Sequence, residues 1–294
     1  MTDRFGHFCA IDWSGAAGER HKGIAVALCG AGDHPPALVR PGHRWSRPEI
    51  LDWLLHDLPD DTLVGLDLGM SLPFEDCDGF FPGWDASPPD AKSLWTLVDM
   101  ICAAEDHLGA SALVSDEIAS RYFRRQGGLV GQHFHLPGAA HKRGRFRVTE
   151  HRQAAMGCQP CSNFNLIGAA QVGKSSLTGM RVLHHLAGRI PVWPFDPLPP
   201  SGSVLVEIYT TIAALAAGRR PGRSKLRSVE DLNHALAVLG SAPVPGSGAI
   251  DDHSADALIT SAWLRRNAGR KDLWQPAALS PHIARTEGWT FGAL

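Results

Sequence analysis

Acidic residues end three apolar runs of the sequence. FCAID ends at Asp12, LVGLD ends at Asp67 and VLVE ends at Glu207. Short apolar runs of this kind predict buried strands, and an unpaired carboxylate in a protein interior is costly. Several carboxylates directed to one place need cations, protons or a metal to offset their repulsion. The pattern therefore predicts metal-dependent phosphate chemistry, and separate pairing of each acid with an arginine is the alternative.

A further group of acids lies near the C-terminus. The segment DDHSADALITSAW (251–263) predicts a helix in which Asp252 and Asp256, four residues apart, lie on one face. His253 is a candidate ligand or proton shuttle, and Asp251 or Asp252 is alternatively a cap that complements the helix dipole. Oxygen ligands of this type favour Mg²⁺ or Mn²⁺. The predicted metal ligands are Asp12, Asp67, Glu207, Asp252 and Asp256, and the predicted catalytic residues are Asp12, Asp67, Asp256 and His253.

The overall composition predicts a protein without a strong global charge. The 294 residues contain 28 Lys and Arg against 30 Asp and Glu, so net charge predicts neither a nucleic acid nor a membrane as partner. The six cysteines are irregularly spaced, and neither a signal peptide nor a membrane-spanning helix is predicted. We expect a cytoplasmic protein in a reducing environment, and the sequence leaves its oligomeric state open.

Two segments contain a local excess of basic residues. Between Arg121 and Arg152 there are eight Arg or Lys residues and one acid, interleaved with Tyr122, Phe123, Phe134 and Phe146. A second basic run, RRPGRSKLR, covers 219–227. Basic and aromatic residues together predict a surface that contacts phosphates and stacks on bases, whereas a solvated loop is the alternative. The predicted nucleic-acid-binding residues are Arg143, Arg145, Arg147, Arg219, Arg220 and Arg223.

Hydrophobic periodicity predicts the order of the elements. A helix with a capping box at Ser46 follows three short strands, and a buried strand and a second helix come next. The predicted strands are 8–13, 23–29, 43–46, 62–67 and 204–209, and the predicted helices include 90–108, 229–239 and 251–268. Strands and helices in this order predict an α/β protein.

Two other motifs suggest functions that differ from the one predicted by the acidic residues. Gly168 to Ser175 fits the phosphate-binding pattern G-x-x-x-x-G-K-[ST], which favours a nucleotide-binding phosphotransferase or NTPase. The segment before it is a poor strand, so we predict that Lys174 lies at a helix start and not in a phosphate cradle. Cys158 and Cys161 form a lone CxxC pair, for which zinc binding and a turn with two reduced thiols both stay open.

Four landmarks carry a resemblance to a known family. IDWSG (11–15), GLDLGMSLPF (65–74), VEIYTT (206–211) and DDHSADALITSAW (251–263) resemble, in order along most of the chain, a bacterial family described as predicted RNase H-like nucleases. His253 and Asp256 are similar to the closing motif of RuvC-type resolvases.

The resemblance implies a single RNase H-like domain over residues 1–294, with a mixed sheet flanked by helices and a basic insertion at 110–170. It also implies cleavage of phosphodiester bonds in DNA or RNA with Mg²⁺ or Mn²⁺, for which the residues themselves suggest a two-metal mechanism. A nucleic-acid-binding protein that keeps the fold without activity is the alternative outside enzymes.

Overall fold

A six-stranded mixed sheet forms the centre of the protein. The computed structural model describes residues 4–135, 144–168, 171–222 and 225–294. The strands are β1 (His7–Asp12), β2 (Ala25–Gly30), β3 (Ala37–Leu38), β4 (Thr62–Asp67), β5 (Val192–Trp193) and β6 (Val204–Glu207). Their spatial order is β3-β2-β1-β4-β6-β5. The first three strands pair antiparallel, while β1, β4, β6 and β5 run parallel to one another.

Helices cover both faces of this sheet. The described helices are α1 (Arg47–His56), α2 (Ala91–Ile101), α3 (Ser111–Ser115), α4 (Val148–Ala155), α5 (Val172–His185), α6 (Thr210–Ala216), α7 (Val229–Val238), α8 (Asp252–Asn267), α9 (Lys271–Trp274) and α10 (Pro281–Thr286). None of the helices in the described ranges has both the length and the apolar character needed to cross a membrane. The α/β class and the mixed sheet flanked by helices, as predicted from the sequence, are confirmed.

Alternation along the strands divides the interior into two apolar layers. On β1, Cys9 and Ile11 belong to the layer that contains α1, α2 and α5, whereas Phe8 and Ala10 belong to the layer that contains α6, α7 and α8. Successive side chains of a strand point to opposite faces, so burial of both sets requires helices on both sides. The sheet is therefore buried on both faces where it carries Asp12.

Two predicted elements differ in the structure. Residues 43–46 are not a strand, and the third strand is β3, which precedes them. The capping box at Ser46 is confirmed, and it starts α1 directly after these residues. The helix predicted over 90–108 ends at Ile101, and a short 3₁₀ turn follows at Asp106–Leu108. His107 and Leu108 have φ angles of 56° and 53°, a left-handed conformation that an α-helix does not accommodate.

Candidate active site

Two acids meet at one edge of the sheet. Asp12 ends β1, Asp67 ends β4, and the two residues are direct partners in the parallel pairing of these strands. The carboxyl ends of parallel strands are where α/β proteins place ligand sites. A cavity of about 410 Å³ opens there, and Asp256 and His253 from α8 also line it. The structure thus brings together the four residues predicted to be catalytic.

Asp12 is held by a histidine. His253 Nδ1 lies 2.9 Å from Asp12 Oδ2. Burial raises the pKa of Asp12, and the hydrogen bond from His253 opposes this shift. The same bond, formed with a carboxylate, raises the pKa of His253. Because the bond uses Nδ1, the Nε2 atom of His253 is left to carry or accept a proton.

Asp67 is oriented by the start of α6. The backbone N–H of Thr210 donates to Asp67 Oδ1 at 3.4 Å, and its hydroxyl donates to Oδ2 at 3.3 Å. Burial, followed by the charges of Asp12 and Asp256, raises the pKa of Asp67 well above its usual range. Because the charges of Asp12 and Asp256 act on Asp67, the three carboxylates are near enough to interact. Sequence reasoning missed Thr210, although its position just after a strand that ends in an acid was a usable signal.

Asp256 has a lysine as its partner. Lys225 Nζ lies 3.3 Å from Asp256 Oδ2 and 3.4 Å from Asp252 Oδ2. Burial raises the pKa of Asp256 to about 6, although Lys225 counteracts part of the effect. Burial disfavours the charge of Lys225, but Asp256 and Asp252 outweigh it and raise the pKa of the ammonium. Lys225 was part of a basic run in the sequence, yet nothing in that run distinguished it from its neighbours.

Glu207 belongs to a separate ion pair. Its Oε1 accepts from Arg147 Nη2 at 2.6 Å and from the Thr290 hydroxyl. Its Oε2 accepts from Arg147 Nη1 at 2.8 Å and from the backbone N–H of Met70 at 2.7 Å. Both oxygens are occupied within the protein. The expectation that Glu207 is a metal ligand is therefore wrong in this arrangement.

Two of the predicted phosphate-binding arginines are buried. Arg145 and Arg147 are each 1% exposed. Arg145 pairs with Asp76 at 2.6 Å, and Arg147 pairs with Glu150 at 2.7 Å as well as with Glu207. These guanidinium groups stabilise the interior, and although Arg147 lines the acidic cavity, its guanidinium is occupied by Glu150 and Glu207. The spacing of Arg147 and Glu150, three residues apart, is the sequence signal for this pairing.

Only some of the other residues predicted to form the basic surface are exposed in the structure. The interleaved aromatic residues, Tyr122, Phe123, Phe134 and Phe146, are all buried, so the expectation that they stack on bases is wrong. Arg143 and Arg223 lie outside the described residues. Arg220 is exposed, and Arg219 is half-buried and donates to the carbonyl of Lys225 at 3.2 Å. These two arginines remain candidates for contact with a substrate beside the acidic cavity.

The competing motifs have ordinary structural roles where they are described. Lys174 lies in the first turn of α5, and residues 161–168 before it form no strand, which confirms the predicted helix start. Cys158 is buried, and Cys161 is half-buried on the wall of the acidic cavity. Within the described ranges, no three His, Cys, Asp or Glu side chains are already grouped in a way that could hold a metal ion. No partner ligands for zinc at the CxxC pair are therefore identified there.

The charge of the cavity tests whether its residues fit a divalent cation. Among described residues its charged lining has five carboxylates and two cations. Arg147 is used by Glu150 and Glu207. Asp12, Asp67 and Asp256 are left with Lys225 and His253 as positive partners, and burial is the main cause of their raised pKa values. Carboxylate oxygens are the ligands that Mg²⁺ and Mn²⁺ prefer, so the chemistry of the donor set fits these ions, while the described side chains are not already drawn together around a metal position.

Comparison of the chain with models of protein families, with curated proteins and with solved structures found no match. The assignment of a function therefore depends on the chemistry of the residues and on the geometry of the cavity.

Proposed function

We propose that the protein is a nuclease that hydrolyses phosphodiester bonds of nucleic acid with Mg²⁺ or Mn²⁺. The observation that carries the proposal is the convergence of Asp12, Asp67 and Asp256 in one cavity, where burial raises the pKa of each carboxyl. A site that concentrates negative charge in this way is unfavourable without cations, and a phosphate group brings still more negative charge. A divalent cation resolves both problems.

An RNase H-like fold is part of the proposal. Three antiparallel strands open the chain, the first carries Asp12, and the next strand pairs parallel to it and carries Asp67. The helix α8 then brings Asp256 and His253 to the same edge. This arrangement of strands and acids supports the resemblance seen in the sequence.

Each residue has a distinct role in the proposed reaction. Asp12 and Asp67 would hold the cation beside the carboxylate of Asp256, and Thr210 keeps Asp67 oriented through two hydrogen bonds. When bound, the divalent cation supplies Lewis-acid stabilisation and favours deprotonation of water. The water oxygen bonds to phosphorus while the bond from phosphorus to the leaving oxygen breaks. Neutral His253 accepts the water proton at Nε2, and the leaving oxygen takes a proton from solvent.

The nucleotide-binding alternative has less support. A phosphate cradle places a glycine-rich loop between a strand and a helix. Lys174 lies at the start of helix α5, but the described residues before this helix, 161–168, form no strand. Lys174 also lines a smaller cavity of about 140 Å³ and not the acidic one. We therefore rank phosphodiester hydrolysis above phosphotransfer from a nucleotide.

A cleavage assay tests the proposal. The protein is incubated with single-stranded, duplex and branched DNA, with RNA and with RNA–DNA hybrids, in Mg²⁺ or Mn²⁺ and separately in EDTA. We expect cleavage of at least one substrate with metal only. Asp12→Asn and Asp256→Asn should abolish it, and Lys174→Ala should retain it. Cleavage that survives Asp12→Asn contradicts the proposal, as does ATP turnover without cleavage of any nucleic acid.

A further inference from the structure

Lys225 contacts two acids of α8 at the same time. Its ammonium lies 3.3 Å from Asp256 Oδ2 and 3.4 Å from Asp252 Oδ2. Lys225 also lines the cavity that contains Asp12 and Asp67. A positive charge of the chain itself is therefore already placed among the carboxylates that are proposed to bind metal.

The backbone fixes this placement. The carbonyl of Lys225 accepts from Arg219 Nη2 at 3.2 Å, and the next residue, Leu226, is fully buried. The carbonyl of Arg227 accepts from the N–H of Ile250 at 3.1 Å, which ties the segment to the residues that lead into α8. Lys225 and its acidic partners are thus anchored to the same part of the fold. The fold therefore fixes the backbone of Lys225, while its side chain, 53% exposed, reaches the two acids from the surface.

The charges of the cavity limit the number of additional cations. Asp12, Asp67, Asp256 and Asp252 carry four negative charges when ionised, and Lys225, which contacts the last two, carries one positive charge. One divalent cation leaves the group with a net charge of about −1. A second divalent cation would give the group an excess of positive charge unless Lys225 moved away, because the ammonium already contacts Asp256 Oδ2 at 3.3 Å.

We infer that Lys225 takes the place of a second metal ion, so that the site binds one divalent cation, at Asp12 and Asp67, beside a permanent ammonium at Asp256. The inference rests on the proposed function and narrows the two-metal mechanism expected from the sequence. Two-metal sites use the second ion to stabilise charge on the attacking or the leaving oxygen. Lys225 supplies positive charge for the same purpose, without the additional protein ligands that a second ion needs.

The number of bound ions tests this inference independently of activity. Mn²⁺ is titrated into the 294-residue chain, and free ion is followed by electron paramagnetic resonance. We expect one Mn²⁺ per chain in the wild type and in Lys225→Arg, which keeps the positive charge. Lys225→Met should bind two, because it exposes Asp252 and Asp256 to a second ion. Lys271→Met, at an exposed lysine of α9, is the matched control and should bind one.

Three results overturn the inference, and they separate it from the proposed function. Two Mn²⁺ ions in the wild type, or a single ion in folded Lys225→Met, would exclude the role of Lys225 and leave metal-dependent cleavage intact. A wild-type protein that binds no Mn²⁺ would remove the proposed function and this inference together. Circular dichroism shows whether Lys225→Met folds. If it does not, the count in the wild type and in Lys225→Arg still decides between one ion and two.

Discussion

Asp12 and Asp67 are paired residues on neighbouring parallel strands, so two carboxylates lie side by side at the edge of the sheet. Hydrogen bonds from the protein orient both, His253 on one and Thr210 on the other. Neither carboxylate has an arginine as its partner in the described hydrogen bonds and ion pairs. The pair is therefore held in place by hydrogen bonds, with His253 as the one direct cationic partner among the described contacts, an arrangement that accords with the proposed metal site.

Asp67→Asn should stabilise the metal-free protein and weaken metal binding. The substitution removes a buried carboxyl whose ionisation is opposed by burial and by the charges of Asp12 and Asp256, while its amide oxygen can still accept a hydrogen bond from Thr210. We expect the free energy of unfolding in EDTA to rise by about 1 kcal/mol or more. Cleavage should fall by at least about a hundredfold, because even the outer partners of metal ligands have effects of 10- to 100-fold.

Urea unfolding in EDTA and in Mn²⁺ measures both effects of Asp67→Asn. Asp52→Asn, at an exposed aspartate of α1, is the control and should change neither stability nor cleavage appreciably. A variant at Asp67 that is less stable than the wild type in EDTA would show that its charge is already compensated within the protein.

Asp256 makes the stability of the metal-free protein depend on pH. Its pKa is about 6 in the folded protein against an ordinary value of 3.8. The unfolded chain therefore releases this proton at lower pH, so the folded state loses stability as pH rises from about 4 to about 6. The loss amounts to at most about 3 kcal/mol. Asp12 and Asp67, with raised pKa values, act in the same direction, and so does His253 above its ordinary pKa.

Comparison with Asp256→Asn isolates this contribution. Unfolding in EDTA is measured between pH 4 and pH 7 for both proteins, and the variant should gain stability relative to the wild type as pH rises. Saturating Mg²⁺ should remove most of the difference in slope, because a bound cation favours the ionised carboxylate. A difference in stability that stays constant across this range would contradict the raised pKa of Asp256.

The sequence predicted the acidic cluster better than the basic surface. Asp12 and Asp67 end apolar runs, and the end of a buried strand is a strong positional signal. Asp256 follows from helical spacing. Arg145 and Arg147 also lie in a local excess of positive charge, but charge along the chain does not show which side chains find buried partners. Their acceptors are at a distance in sequence, such as Asp76 and Glu207.

The dependence on partners that are distant in sequence also explains which residues of the site the sequence did not predict. Lys225 is one of several basic residues in 219–227, and backbone pairing of the following residues with 248–250 places it beside α8. Glu207 has the same position at a strand end as Asp67, and the difference between them is the presence of Arg147. Long-range partners decide the role of an acid at a strand end, and a single sequence does not specify them.

Arg147→Met should destabilise the protein strongly. Arg147 is buried and binds the two buried carboxylates of Glu150 and Glu207, so its removal leaves both without a cation. Breaking a buried pair in this way costs about 3–5 kcal/mol. Urea unfolding should show this loss, and the further changes Glu150→Gln and Glu207→Gln should recover much of it. Arg189→Met, at an exposed arginine, should have almost no effect.

Glu207→Gln alone separates the structural role from metal binding. It should lower stability, because the ion pair with Arg147 is lost, but the affinity for Mn²⁺ should be unchanged. A large fall in Mn²⁺ affinity would restore Glu207 to the metal site.

Gly15→Ala should disturb the active site without touching a catalytic residue. A Cβ at Gly15 would lie 2.3 Å from the backbone carbon of Lys174 and 2.4 Å from the nitrogen of Ser175, atoms that belong to α5. The loop after β1 would have to move away from the helix, and Asp12 lies three residues earlier. We expect a loss of about 1–3 kcal/mol in stability and a lower cleavage rate. Gly6→Ala, where a Cβ meets no atom within 4 Å, should be close to neutral in both measurements.

Arg220 should contribute to nucleic acid affinity through charge alone. It is exposed on the segment that leads to Lys225, in contrast to buried Arg145 and Arg147. Binding of a fluorescent oligonucleotide is measured against salt concentration in an Asp12→Asn background, which prevents cleavage. Arg220→Ala should lower the slope of log affinity against log salt by about one, with a similar change for every sequence, because a phosphate contact releases a counterion and reads no base. Arg189→Ala should leave the slope unchanged. An identical slope for the two variants would mean that the substrate reaches the acidic cavity by a different surface.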